Sequence, residues 1–218
     1  MLSRLKSILR QNRHVLYTRP YELNIVGVRS GSVIANRFID EIHVFYKVSG
    51  EKWNHHVFKA TTDPGTFWLK NPMQPDGAAI LASGQYVDAW EIGLHKGEYE
   101  ALVQKAPVTI LRDYDRSAYL DFMNGEKYTG LFGIDIHRAL SAGKTFFVDE
   151  FSAGCQVFQD AGDFLQFMDL CKKHSTLYGN SFTYTLLDFR ALRREALRRM
   201  AMGSILLGLG MLAWYNYD

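Results

Sequence analysis

Cysteine is scarce in this chain: two residues in 218. Two thiols at dissimilar sites exclude a disulfide framework as the basis of the fold. Cys171 falls in the apolar helical pattern that begins at Phe164 and reads as core packing. Cys155 instead closes the glycine-containing turn Ser152-Ala153-Gly154-Cys155. Charge of one sign is also lacking. A formal net charge of +2 gives no global argument for nucleic acid as a partner. The N-terminus lacks a continuous apolar stretch, so no cleavable signal peptide is expected. Residues Met1 to Arg13 alternate Leu2, Leu5, Ile8 and Leu9 with Arg4, Lys6, Arg10 and Arg13, a short basic amphipathic helix suited to packing on a domain surface. There is no internal repeat and no low-complexity linker.

What is present is a large apolar content, 47% hydrophobic and 14% aromatic, enough for a substantial core. The stretch from Tyr21 to Leu187 is strand-rich. Period-two alternation or short apolar runs predict strands at Glu22–Val28, Ile39–Val48, His55–Lys59, Ala79–Ala82, Gln85–Ile92, Val108–Arg112, Phe132–His137, Thr145–Val148, Cys155–Phe158 and Phe182–Leu187. Asp63-Pro64-Gly65 is a turn signal. Gly97–Gln104 is expected to form a helical turn, and Asp160–His174 a helix with Phe164, Leu165, Phe167, Met168 and Cys171 on one broad face. Many short strands broken by Gly, Pro and Asp imply a mainly β domain with few helices, a β-sandwich or closed barrel.

The end of the chain changes character. Asp188 to Arg199 is helix-prone and arginine-rich, and Met200 to Tyr215 carries no charge. That run is just short of the roughly 17 residues needed to span a bilayer. Its arginine collar and terminal aromatics suit a membrane interface, and Ser204 with Gly208 suits helix contact. Membrane association through 200–215 and burial against another copy of the chain are both open at this stage. The expected organisation is a basic N-terminal segment (1–20), a strand-rich domain (21–187) and an Arg-rich helix with an apolar tail (188–218).

The chemistry-bearing pair is His137 and Cys155. A thiol becomes a strong nucleophile at neutral pH when a base stands beside it. The oxygen of the attacked bond needs N–H donors, and a Ser-Ala-Gly-Cys turn offers the backbone of Gly154 and Cys155 without a bulky side chain in the way. The order is His first, then 14 intervening residues (138–151), then Ser152.

His137 followed by Ser152, Gly154 and Cys155 resembles the His…Ser/Thr-x-Gly-Cys motif of the L,D-transpeptidase catalytic domain family. The upstream run Thr62-Asp63-Pro64-Gly65-Thr66-Phe67 is similar to that family's Thr-Pro-x-Gly-x-Phe segment. The resemblance covers roughly Leu23 to Leu187 and is closer to divergent versions found in bacteriophages and bacterial proteins of unassigned role. It implies a peptidoglycan stem peptide as substrate, at the cell envelope or in a virion, with no cofactor. Cys155 would form an acyl-enzyme, His137 would take the thiol proton and return it to the leaving amine, and Ser152 would orient His137 or stabilise the turn. Water as acceptor gives a carboxypeptidase or endopeptidase; an amine gives a transpeptidase. Two neighbours depart from the family: Arg138, where a glycine follows the histidine, and Gln156 after the cysteine.

Other candidates for substrate binding are His95, in the loop-like Gly93-Leu94-His95-Lys96-Gly97, Arg112 and Arg138 as carboxylate binders, and Tyr86 and Trp90, which share one strand face. A papain-like amidase needs a strand histidine after the cysteine, and none follows Cys155. His55, His56, His95, His137 and Cys155 lack His-x-x-x-His or His-x-His spacing, so no metal site is expected. The non-enzymatic alternative is a structural or cell-wall-binding module that kept the fold.

Overall fold

A computed structural model of the chain describes residues 1–122, 125–189 and 193. The expected class holds: the protein is mainly β with few helices. Eight strands close into a barrel: β1 (Asn24–Arg29), β2 (Asp40–Ser49), β3 (Lys52–Thr61), β5 (Gly84–His95), β6 (Tyr99–Gln104), β9 (Ile136–Arg138), β10 (Gln156–Phe158) and β11 (Phe182–Asp188). Around the barrel the order is β1-β11-β5-β6-β9-β10-β3-β2, and a separate sheet runs β4-β7-β8 (Ala78–Leu81, Val108–Asp113, Lys127–Gly130). The β1/β11 and β9/β10 pairs are parallel.

Apolar side chains explain the layering. Ile25, Ile42, Val44, Trp90, Leu102, Phe158 and Tyr184 fill the barrel and meet Phe164, Phe167, Met168 and Cys171 of helix α3 (Ala161–Tyr178). Asp160 caps α3 by accepting from the N–H groups of Gly162 and Asp163, which satisfies donors left open at a helix start. Strand β1 is buried along its whole length because its outer face is also covered. Val26 and Val28 pack with Phe45 and Leu187 against Leu5 and Leu9 of α1 (Leu2–Gln11). The basic amphipathic segment is thus a helix seated on the barrel.

Three local expectations are corrected. Gly97–Gln104 is not a helical turn: Lys96 and Gly97 take left-handed φ values of 51° and 76°, and the chain reverses into β6, which pairs antiparallel with β5 from Trp90↔Gln104 to His95↔Tyr99. Phe132–His137 is a strand only at its end. The N–H groups of Phe132 and Ile134 donate to the Gln104 side-chain oxygen at 3.0 Å each, so they are not free to join a ladder, and Gly133 has φ 68°. Thr145–Val148 has one isolated bridge, Arg37↔Phe147, and single backbone bonds from Thr145 to Gln159 and from Val148 to Asn36, and stays irregular. Thr66–Lys70, after the Asp-Pro-Gly turn, is a short helix, α2.

No helix among the described residues is long and apolar enough to cross a membrane. Of 188–218 the described residues are Asp188, which ends β11, Phe189, which packs on the α1 cluster, and Arg193; the expectations for membrane contact through 200–215 and for self-association of the tail fall outside them.

Candidate active site

The β9–β10 pair builds the centre. Ile136 pairs with Gln156 and His137 with Val157. Cys155 and Asp135 stand one step before the first pair, with Gln156 N–H donating to the Asp135 carbonyl at 2.9 Å. Ile136 and Phe158 point into the barrel core, so their neighbours in sequence face the other way. That alternation sends Asp135, His137 and Cys155 to one cavity of about 460 Å³. Its wall also includes His95, Lys96 and Arg112. The volume suits a short peptide segment.

Four backbone devices hold the cysteine turn. Ser152 Oγ donates to the Cys155 carbonyl at 2.8 Å and accepts from the Gly154 N–H at 3.2 Å. Gly154 has φ 133°, and a Cβ there would stand 2.5 Å from the Ala79 carbonyl oxygen, so glycine is required by conformation and by space. The Gly65 N–H donates to the Ser152 carbonyl at 2.9 Å, which ties the Thr-Asp-Pro-Gly segment to the cysteine turn. Gln156 lies beneath: its side-chain amide donates to the Gly154 carbonyl at 3.2 Å and its oxygen accepts from Tyr184 Oη at 2.8 Å. The residue after the cysteine is thus a turn support inside the barrel.

His137 Nδ1 is 2.8 Å from the Arg138 carbonyl oxygen and 3.2 Å from Tyr99 Oη. A carbonyl only accepts, so Nδ1 carries the proton and Nε2 of the neutral ring is bare. Burial, and then the neighbouring His95, lower the His137 pKa to about 3. Cys155 is half-buried and its Sγ donates to the Gly133 carbonyl at 3.3 Å. Burial, and then the Asp135 carboxylate, push the thiol up to about 12. At rest the couple is therefore a neutral thiol and a neutral imidazole, not an ion pair.

The other candidates separate sharply. His95 belongs to the site: its Nδ1 is 2.7 Å from Asp135 Oδ2, and its ring stacks on His137 with centroids 4.0 Å apart at 17°. Arg112 lines the cavity, with Nη1 donating to the Gly77 carbonyl at 3.0 Å and Nε 3.4 Å from Asp76. Four assignments are corrected. Arg138 lays its guanidinium over the Tyr99 ring at 4.2 Å and contributes its carbonyl, not its side chain. Trp90 is fully buried, and its Nε1 donates to the Ile134 carbonyl at 2.7 Å. Tyr86 Oη bonds the Ala82 and Thr109 carbonyls at 2.7 and 3.1 Å. Trp90 and Tyr86 brace the cavity from behind because indole and phenol donors need partners when buried. Of the two roles expected of Ser152, its hydrogen bonds fill the turn role, and none runs to His137. The Gly154 N–H, engaged by Ser152, is not an open oxyanion donor; the Cys155 N–H is the one left.

Sequence reasoning missed Asp135 and Gln104 as site residues. The only signal for Asp135 was a carboxylate two positions before His137, on the same face of a strand. Gln104 carried no signal, since its role depends on a loop 26 to 31 residues away in sequence. Among the described residues no group of three His, Cys, Asp or Glu side chains converges for a metal. No family model, curated protein or solved structure matches the chain.

Proposed function

We propose that the protein is a cysteine acyltransferase or hydrolase that acts on peptide bonds of peptidoglycan stem peptides through a Cys155 acyl-enzyme. The observation that carries the reading is the convergence of Cys155, His137, His95 and Asp135 on one cavity. The stem-peptide substrate comes from the motif resemblance, and the cavity chemistry is compatible with it: Arg112 and Lys96 on the wall suit a substrate carrying carboxylates.

His137 Nε2 takes the thiol proton as Sγ adds to the carbonyl carbon, and the Cys155 N–H receives the developing oxyanion. The imidazolium then gives its proton to the leaving amine as the C–N bond breaks. Because the resting thiol is neutral and bonded to Gly133, proton transfer accompanies attack instead of preceding it.

One observation favours the non-catalytic alternative: a thiol pushed to about 12 is an idle group until a substrate rearranges it. Digestion of purified peptidoglycan by wild type and Cys155→Ala, with products identified by mass spectrometry, decides between them. The enzyme reading expects cleaved or exchanged stem peptides with wild type alone. Binding without Cys155-dependent products would leave a wall-binding module.

A further inference from the structure

The cavity holds two histidines where one suffices for a single proton shuttle. Each has its Nδ1 tied to a different kind of acceptor. His137 is bonded to a neutral carbonyl, that of Arg138. His95 is bonded to a carboxylate, that of Asp135, whose other oxygen is fixed by the Gln104 N–H at 3.0 Å. Asp135 is therefore oriented before any substrate arrives. With Nδ1 tied, the Nε2 atom of His95 is the one left to act, and it makes no hydrogen bond within the described residues.

We infer that His95, held by Asp135, is the base that activates the acceptor in the second half-reaction, while His137 serves the first. The inference rests on the acyl-enzyme reading above. In the second half-reaction the acceptor, water or an amine, adds to the thioester carbonyl and loses its proton to His95 Nε2. The C–S bond breaks, the thiolate leaves, and the proton passes from His95 through cavity water to Cys155 Sγ. The product is the acid or the new amide, and the enzyme returns to its starting state.

Three features fit this division. Stacked imidazoles 4.0 Å apart disfavour simultaneous protonation, because like charges at that distance repel. They suit alternate use. Activation of water needs a base held in one orientation, and the Asp135 carboxylate, itself fixed by the Gln104 N–H, holds the His95 ring and its tautomer. His137 has only a carbonyl and a buried ring, which suits a proton held briefly on its way to a leaving amine.

The test uses para-nitrophenyl acetate with the full chain in a stopped-flow instrument. The burst of nitrophenolate reads acylation of Cys155 and the steady state reads deacylation. The variants are His95→Asn and Asp135→Asn. The expected result for His95→Asn is a burst rate within about 3-fold of wild type and a steady-state rate lower by about 100-fold, the usual scale for loss of a general base. Asp135→Asn should lower the steady-state rate likewise while its burst does not slow, since the carboxylate that raises the thiol is gone. Intact-mass analysis should show acetyl-enzyme accumulating, and added imidazole should restore turnover of His95→Asn. Loss of the burst in His95→Asn would make His95 the base for the thiol and overturn the division. Equal loss in both phases, without rescue by imidazole, would reduce His95 to a positioning residue for His137. Unchanged deacylation in both variants would remove it from the reaction. If wild type itself gives no burst that Cys155→Ala abolishes, the acyl-enzyme reading fails, and that result is separate from the other three.

Discussion

The Gly65 N–H donates to the Ser152 carbonyl at 2.9 Å, and through that bond the two motif segments of the chain become one structure. Gly65 itself has no room for a side chain, since a Cβ would lie 2.0 Å from the Asp149 carbonyl oxygen. Arg29 supports the same segment from below: its buried guanidinium is 2.8 Å from Asp63 Oδ1 and donates to the Thr62 and Leu81 carbonyls. The cysteine turn is thus held from the barrel, from β4 and from the Asp-Pro-Gly turn.

Ser152→Ala should lower stability and activity together. The substitution leaves the Cys155 carbonyl and Gly154 N–H without their shared partner in a buried turn, which costs about 1–3 kcal/mol. Acylation should slow because the Cys155 N–H loses its aim, while the pH dependence of acylation should keep its shape. Denaturant midpoints and burst kinetics measure both. A pH profile displaced in this variant would mean that Ser152 acts on His137 electrostatically.

Cys155 should react slowly with iodoacetamide at neutral pH. A thiol pushed to about 12 has very little thiolate below pH 8. The alkylation rate, followed by intact mass, should keep rising through pH 9 and show no plateau at pH 6. Rapid modification at pH 6 would reveal a thiolate–imidazolium pair and contradict the neutral resting couple.

Much of this site could be read before any fold was known, and the reasons are local. Ser-Ala-Gly-Cys and Asp-Pro-Gly are short-range signals, because turn geometry is set by the residues in it. The strands of the barrel were legible because β2 and β11 bury apolar side chains against a continuous core. The failures were long-range. Gln104 replaces a strand partner for residues 132–134, so the run Phe132–His137 looks like one strand but is a clamped loop that becomes strand only at Ile136. Tyr86 and Trp90 share the chemistry of ligand-binding aromatics, and only the carbonyls they meet reveal them as braces. His95 looked like a turn histidine because its carboxylate partner, Asp135, lies 40 residues on.

Gln104→Leu should loosen the cavity wall without emptying the barrel. The side chain donates to the Ala106 and Gly130 carbonyls and accepts from the Phe132 and Ile134 N–H groups, all at 2.9–3.0 Å. Four buried or half-buried groups would lose their partner, at a total of roughly 2–4 kcal/mol after solvent replaces some bonds. Amide exchange of Phe132 and Ile134 should accelerate by more than 10-fold, and deacylation should fall with it, since Asp135 sits at the end of the same loop. Unchanged exchange at those two amides would show that the loop is held by Trp90 alone.

Stability should fall as the pH drops below about 6.5. His137 and His43 are held neutral in the folded state, with pKa values lowered by burial to about 3 and about 4, whereas the unfolded chain takes up protons near 6.5. Between those limits the unfolded state binds more protons, so stability rises with pH there and is lost on acidification. His14, His55, His56 and His174 are shifted the same way by burial. Asp113 works in the opposite direction: burial raises it to about 6, so the folded state holds its proton between about 4 and 6 and stability falls as pH rises through that window. Asp163 is raised by burial as well, so two raised carboxyls oppose the lowered imidazoles, but the imidazoles are more numerous and also act above pH 6, where Asp113 has ceased to matter. Urea midpoints measured at pH 4.5 and pH 7.5 should therefore show the folded state weaker at the lower value. An equal or higher midpoint at pH 4.5 would mean that the buried imidazoles find a way to protonate without unfolding. In that event His137 would be charged in acid and, in the proposed mechanism, unable to serve as the base for Cys155.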